Sequence, residues 1–235
     1  MNLSLDWVLQ KARPVMPVLV IDDVALATDL ARALYDGGVR VLEVTLRTPQ
    51  ALDAVAEIRR ELPEMIVGAG TLIHTEQFQE ARDAGAQFAV SPGCTPRLVA
   101  AADDAKLPFL PGVMTPSEVL VALEYGYRSL KLFPADGNAA IKMLKSLKAP
   151  FAGIRFCPTG GITQENLLNV LRLPMSPASA APGSHRPAWY APAPGIRSPN
   201  WPARRARWLQ AWSMLHELAV TRSVRHRYRG QVRGH

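Results

Sequence analysis

The chain has 235 residues, 48% of them hydrophobic, which suffices for one sizeable core, and its formal charge is +7 at pH 7. No apolar run reaches the roughly 18 residues that a membrane span needs, and the first residues lack the pattern of a signal peptide, so we expect neither a membrane protein nor a secreted one. The two cysteines, Cys94 and Cys157, lack metal-ligand spacing, and we expect reduced thiols in a cytoplasmic protein.

The basic charge is concentrated in the last quarter of the sequence. Residues 1–174 contain 17 Lys and Arg against 19 Asp and Glu, a net charge of −2. Residues 175–235 contain 10 Arg, no Lys and one acid, Glu217, a net charge of +9. An asymmetry of this kind can mark a nucleic-acid-binding tail, so we treat the two regions separately.

Seven units, each a short strand followed by a helix, fill residues 1–174. The first strand is predicted at 15–21, with Asp22 or Asp23 capping the helix that follows and Gly37-Gly38 ending it. Further strands are predicted at 39–46, 65–70, 87–91, 108–113, 129–133 and 153–157. Their helices begin near Thr48-Pro49, Thr75, Thr95-Pro96, Thr115-Pro116, Asn138 and Thr163, three of them with proline in the first turn.

Apolar strands that alternate with helices predict a parallel α/β sheet covered by helices. Eight such units close a TIM-type (β/α)8 barrel, and an open doubly wound sheet is the alternative. The unusual residues lie late in their strands, within 43–47, 68–71, 91–93, 131–134 and 159–161. In a barrel those strand ends meet at one rim, where active sites sit, whereas an open sheet would spread them along an edge. We therefore predict the barrel.

Lys131 lies in the middle of an apolar strand, between Leu130 and Leu132. A lysine is rarely fully buried unless it is paired or functional, and desolvation favours its neutral amine, which can attack a ketone and form a Schiff base. The alternative is a lysine on the solvent-facing side of an edge strand. The residues around it in the fold decide between the two.

Strand alternation places Glu43, Thr45 and Arg47 on one face, which in a barrel points inward because Leu42 and Val44 face the helices. The two charges could form a structural ion pair. With a lysine on another strand of the same barrel, carbonyl chemistry fits better: Lys131 as nucleophile, Glu43 as the group that moves protons, and Arg47 as a bidentate ligand of a carboxylate.

Thr71 and the Gly160-Gly161 pair are further candidates for substrate binding. Thr71 follows a glycine-rich strand end and is either a ligand of a substrate oxygen or a turn residue. Gly160-Gly161 precedes a predicted helix N-terminus, where backbone N–H groups favour an anion such as phosphate. His74 is predicted to be a solvated loop residue.

We predict no metal site and no cofactor, because the sequence has no cluster of His, Cys and carboxylate residues with ligand spacing.

Six motifs together resemble one known family. They are EVTLRT at 43–48, GAGT at 68–71, SPG at 91–93, LPGV at 110–113, KLFPA at 131–135 and FCPTGGIT at 156–163. In order and spacing they resemble the aldolases of 2-dehydro-3-deoxy-6-phosphogluconate (KDPG) and 4-hydroxy-2-oxoglutarate, over residues 1 to about 174. The resemblance implies a metal-free class I aldolase with a (β/α)8 barrel, a cytoplasmic homotrimer of the Entner–Doudoroff pathway that cleaves KDPG to pyruvate and glyceraldehyde 3-phosphate.

The resemblance also assigns roles to individual residues. It implies that Lys131 forms the Schiff base and that Glu43 is the general acid and base. It implies that the remaining positions bind the keto-acid substrate: Arg47 and Thr71 at the carboxylate, Pro92, Phe133 and Thr159 in the pocket lining, and Gly160 and Gly161 in half of the phosphate site.

The resemblance ends after Pro174. The family continues into an apolar eighth strand that ends in Gly-Gly-Ser-Trp and a closing helix, whereas this chain has no visible apolar strand there, so strand 8 and the closing helix are expected to be missing or replaced. The tail holds 7 of the 20 prolines, 4 of the 5 tryptophans and 4 of the 5 histidines. We interpret it as a shifted reading frame of GC-rich DNA, irregular or partly helical at 203–220. Translation of the other two frames tests this.

Two alternative functions follow from the tail. A barrel without its eighth strand exposes the edges of strands 1 and 7, and the chain would then be a poorly folding, inactive or weakly active remnant. A nucleic-acid-binding protein is the other alternative, because the tail combines arginines with tryptophans that could stack on bases. It rests on the tail alone.

Overall fold

Strands and helices alternate along the chain in this computed structural model, which describes residues 4–13, 15–135, 137–161 and the backbone of 179–182. The helices are α1 Leu5–Lys11, α2 Ala27–Asp36, α3 Ala51–Glu61, α4 Glu76–Asp83, α5 Pro96–Asp104, α6 Pro116–Glu124 and α7 Gly137–Leu147, with a 3-10 turn at Val24–Leu26. The strands are β1 Val15–Leu19, β2 Val41–Thr45, β3 Ile66–Gly70, β4 Phe88–Val90, β5 Phe109–Leu110, β6 Gly112–Val113, β7 Ser129–Leu132, β8 Arg155–Pro158 and β9 Ser179–Pro182. None of the helices in these ranges combines the length and the apolar character that crossing a bilayer requires.

Neighbouring strands follow the order of the chain and run parallel. One sheet has the order β5-β4-β3-β2-β1-β9 and the other β6-β7-β8. A doubly wound sheet would reverse its order at a switch point, so the sequential order supports the predicted barrel. The strand predicted at 108–113 divides at Pro111: β5 pairs with β4, and β6 pairs with β7. A proline has no N–H to donate to a ladder, which accounts for the break there.

The eighth position of the sheet is occupied, and this corrects the expectation of a bare edge at strand 1. β9 runs parallel to β1 with Val15 opposite Ser179 and Val18 opposite Pro182, and it also contacts β8. Sequence analysis found no strand there because Ser-Ala-Ala-Pro lacks an apolar pattern. The edge of β1 offers unpaired backbone N–H and C=O groups, and an extended segment can satisfy these whatever its side chains. Strand 8 is thus replaced by a segment of the tail. The helices predicted at 163–171 and at 203–220 lie outside the described residues.

The side chains of the strands divide into two cores. The outer core lies between sheet and helices and includes Leu42, Val44, Leu130 and Leu132. The inner core fills the barrel and consists mainly of Met16, Val41, Ile66, Phe88, Val90, Leu110 and Cys157. Because side chains of a strand alternate between its faces, this division also fixes which polar residues point into the barrel.

Helix α1, which was not among the predicted elements, closes the amino-terminal end of the barrel. Val8 and Leu9 are buried in the inner core. The Asp6 carboxylate accepts hydrogen bonds from the Ser129 hydroxyl, at 3.0 Å, and from the Arg155 guanidinium. The hydrogen bond from Arg155 lowers the pKa of Asp6, against the effect of burial. The helix is thereby connected to β7, the strand that carries Lys131.

Replacing Thr115 by alanine should lower the free energy of unfolding by about 1 kcal/mol, the typical cost of losing an N-cap. The Thr115 hydroxyl accepts from the backbone N–H of Glu118, whose carboxylate accepts from the N–H of Thr115 and of Met114 at 2.7 Å. This capping box begins α6 directly after the strand beside β7. Urea denaturation is the measurement, with Ser117→Ala, an exposed position in the same turn, as control. Equal stability of the two variants would contradict the prediction.

Candidate active site

A lysine and a glutamate meet inside the barrel. The Lys131 Nζ lies 3.8 Å from the Glu43 Oε1, and 4% of Lys131 and none of Glu43 is exposed. The Nζ also lies 5.3 Å from the centre of the Phe133 ring. The ion pair is therefore enclosed, with an aromatic wall on one side.

Strand alternation places both side chains there. Leu130 and Leu132 pack in the outer core, so Lys131 between them points into the barrel. Its neighbours across the ladders are Gly112 on β6 and Cys157 on β8. The alternative that this lysine lies on a solvent-facing strand side is wrong. Glu43 is positioned in the same way on β2, between outer-core residues.

Two opposing effects act on the pKa of the Glu43 carboxyl group. Burial raises its pKa, while the positive charges of Lys131 and Arg47 act in the opposite direction. Neither carboxylate oxygen has a hydrogen-bond partner among the described residues. Buried polar atoms are nearly always hydrogen-bonded, and exceptions cluster at functional sites. The arrangement provides a proton acceptor beside an amine, with carboxylate oxygens that can still accept a hydrogen bond.

Arg47 and Thr71 lie on the rim above this pair. Arg47 is exposed just beyond β2, and its charge acts on Glu43. Thr71 follows β3 half-buried with a φ of 64°, a left-handed conformation that is an outlier for a β-branched residue. Such strain is retained mainly where function requires it, which favours a ligand role over an ordinary turn. Thr45, by contrast, donates its hydroxyl to the Leu19 carbonyl at 3.0 Å and belongs to the framework.

The remaining predicted positions surround the rim. Thr159 is buried and donates its hydroxyl to the Cys157 carbonyl at 3.1 Å. Gly160, with a φ of 82°, lies so close to the half-buried Phe133 that a Cβ there would stand 3.1 Å from the ring. Gly161 has a φ of 66° and is exposed. The predicted helix after these glycines lies outside the described residues.

One wall residue was missed by sequence analysis. A Cβ on Gly112 would collide with the backbone carbonyl of Pro92, itself a predicted lining residue. The glycine thus lets the loop after β4 approach β6, next to Lys131. The glycine in LPGV was the available signal, but a single glycine does not reveal what approaches it.

Other polar features lie away from the pair. His74 is exposed, and its backbone N–H donates to the Gln77 side chain at 3.0 Å, as expected for a loop residue. A groove of about 790 Å³ opens at the other end of the barrel, beside Asp6, Arg82, Lys106 and Tyr127. It contains the starts of strands, the face of a barrel that serves stability rather than chemistry. The carboxyl-terminal rim therefore remains the candidate site.

Comparison with known proteins points to one family. The sequence model of the KDPG and KHG aldolase family matches residues 5–203, which extends beyond the region recognised from the motifs. The KHG/KDPG aldolase of Escherichia coli strain K12 is 48% identical over 160 residues, which cover 68% of this chain and 75% of that protein.

Solved structures agree with this match. The 2-keto-3-deoxy-6-phosphogluconate aldolase of Zymomonas mobilis ZM4, determined with 3-phosphoglycerate, has a TM-score of 0.71 and 39% identity, covering 86% of this chain and 92% of that one. The KDPG aldolase from Legionella pneumophila, with pyruvate captured at low pH as a covalent carbinolamine intermediate, has a TM-score of 0.72 and 39% identity, covering 86% and 96%.

Proposed function

The chain belongs to the KDPG and KHG aldolase family, and we propose that it is a class I aldolase in which Lys131 forms the Schiff base and Glu43 moves the protons. The observation that carries this proposal is the buried Lys131–Glu43 pair, with 3.8 Å between Nζ and Oε1. Carbinolamine capture in the Legionella relative supports a covalent route. A structural ion pair alone does not explain why the two buried oxygens of Glu43 lack a hydrogen-bond partner among the described residues.

The proposed reaction begins with attack of the Lys131 amine on the C2 ketone of the substrate. Loss of water leaves a protonated imine, which withdraws electrons from the neighbouring C3–C4 bond. The Glu43 carboxylate, directly or through one water, removes the proton of the C4 hydroxyl. The C3–C4 bond breaks, its electrons move into the imine to give an enamine, and the aldehyde leaves. Glu43 then returns the proton to C3, and hydrolysis of the imine releases pyruvate and the lysine.

The substrate is proposed to be held at both ends. Arg47 and the strained Thr71 bind the carboxylate beside C2, since a guanidinium pairs bidentately with a carboxylate. Pro92, Phe133 and Thr159 line the middle of the pocket.

The backbone N–H groups at Gly160 and Gly161 bind the phosphate of KDPG. Both glycines have a positive φ, and successive backbone N–H groups in a turn can point towards an anion. We propose KDPG as the main substrate, cleaved to pyruvate and glyceraldehyde 3-phosphate, and 4-hydroxy-2-oxoglutarate as a second, cleaved to pyruvate and glyoxylate. We also propose a homotrimer in the cytoplasm, supported by the family resemblance.

Borohydride reduction in the presence of pyruvate tests the proposal. The purified full-length chain should acquire one reduced adduct, on the peptide that contains Lys131, as read by peptide mass spectrometry. Lys142 and Lys145, which are exposed on α7, serve as internal controls and should remain unmodified. A folded sample without an adduct on Lys131 would overturn the proposal and favour the inactive remnant.

A further inference from the structure

The Glu43 side chain lies against the backbone of Gly70 on the neighbouring strand β3, whereas the ladder partner of Glu43 is Gly68. A Cβ placed on Gly70 would stand 2.5 Å from the Glu43 Cγ and closer still to its Cδ and Oε1. Real Cβ atoms essentially never come within 3.0 Å of another group. The missing side chain therefore makes the space in which the carboxylate lies.

The inner face of β3 becomes emptier towards the rim. Its residues on that face are Ile66, Gly68 and Gly70, and only the first has a side chain. The ring of Phe88 occupies the space over Gly68, where a Cβ would collide with it. Glu43 occupies the corresponding space one layer higher. The two glycines thus serve different neighbours, one apolar and one ionisable.

Packing, rather than hydrogen bonding, determines where the carboxylate sits. Neither oxygen of Glu43 has a hydrogen-bond partner among the described residues, and the ion pair to Lys131 is at 3.8 Å, outside hydrogen-bond range. The attraction of Lys131 and Arg47 acts on the carboxylate without fixing its orientation, so the side chain is displaced when its surroundings change shape. A single methyl group on β3 would change them at the point of contact.

We infer that Gly70 is a positioning residue of the aldolase: its bare backbone lets the Glu43 side chain turn across β3 towards Lys131. The inference rests on the proposed function, in which Glu43 moves the protons. Gly70 touches no reacting atom in this scheme. With alanine at this position the carboxylate leaves its place, the amine keeps its own, and proton transfer fails while the imine still forms.

The test compares two readouts in Gly70→Ala. Adduct formation on Lys131 by borohydride at saturating pyruvate, at equilibrium, should be retained. Exchange of the pyruvate methyl protons in D2O, which requires the acid–base group, should slow by about 100-fold, the usual cost of a misplacement near 1 Å. The acidic limb of the pH–rate profile should move to lower pH, since a displaced carboxylate gains water and loses the burial that raises its pKa. Gly68→Ala is the matched control. Its methyl group would collide with the Phe88 ring and should lower the melting temperature. The rate of methyl proton exchange, divided by the fraction of chains that form the Lys131 adduct, should be unchanged.

A stability cycle covers the case in which Gly70→Ala does not fold. Glu43→Ala removes the carboxylate and the rest of the chain beyond Cβ, so Glu43→Ala with Gly70→Ala should melt at the temperature of Glu43→Ala alone. The inference is overturned if the double variant melts no higher than Gly70→Ala alone. It is also overturned if a folded Gly70→Ala exchanges the pyruvate methyl protons at the wild-type rate. If the wild type forms no adduct on Lys131, the proposed function fails instead.

Discussion

Replacing Lys131 by methionine should remove the borohydride adduct and lower kcat/KM for aldol cleavage by about 10⁴-fold or more, because only substrate binding and electrostatics then remain. Methionine keeps most of the volume and the unbranched shape of the side chain, so the inner core should remain packed. Lys131 is the member of the Lys131–Glu43 pair that can form an imine. Steady-state cleavage of KDPG and mass spectrometry of the reduced peptide are the measurements.

Two controls separate lost chemistry from lost structure. Lys131→Arg keeps the positive charge beside Glu43 without a nucleophilic amine and should be equally inactive. Lys145→Met changes an exposed lysine of α7 and should leave activity and adduct formation unaltered. Cleavage by Lys131→Met at more than a small fraction of the wild-type rate would exclude the imine mechanism at this lysine. A second effect is expected on the acid: loss of the neighbouring positive charge should raise the pKa of Glu43 further.

Replacing Glu43 by glutamine should lower the cleavage rate by about 10²- to 10⁴-fold, the usual contribution of a positioned general acid and base. The amide has the shape of the carboxylate but cannot accept the C4 hydroxyl proton or return one to C3. Adduct formation with pyruvate on Lys131 should persist at equilibrium. Cleavage and methyl proton exchange should be lost together. Glu64→Gln, an exposed position between α3 and β3, is the control.

The same variant should change the pH dependence of both rate and stability. In the wild type, cleavage falls as pH drops through the raised pKa of Glu43, and this limb should be absent from the residual activity of Glu43→Gln. Consider a carboxyl group whose pKa is higher in the folded than in the unfolded chain. Below its unfolded pKa it does not lower the free energy of unfolding, because it is protonated in both states. As the pH rises above that value the unfolded chain releases the proton first, so stability falls.

Thermal melting shows whether this cost is present. Between the unfolded pKa and the raised folded pKa, the wild type should lose melting temperature relative to Glu43→Gln, and the two should converge below that window. A wild type that is more stable than the variant throughout would contradict a net cost of burying the ionised Glu43. Comparison with Gly70→Ala then distinguishes loss of the group from its displacement, since the displaced carboxylate still titrates.

The amino-acid sequence by itself determined the repeated strand-and-helix units and the face on which each strand residue points. Alternation of apolar residues is a local property, so the inward direction of Glu43 and Lys131 followed from their immediate neighbours. The helix starts at Thr95 and Thr115 were equally local, because a cap depends on residues within one turn. Order of the motifs along the chain was enough to recognise the family.

Only the tertiary structure decided how far apart these groups lie and what else surrounds them. Three features depend on contacts between segments that are distant in sequence. They are the 3.8 Å distance between the Lys131 Nζ and the Glu43 Oε1, the space over Gly70, and the closure of the amino-terminal end of the barrel by α1. The pairing of Ser179–Pro182 with β1 is the clearest case, since it depends on backbone groups of an open edge rather than on side chains. Periodicity describes which way a residue faces, whereas contact between distant segments depends on the packing of the whole barrel.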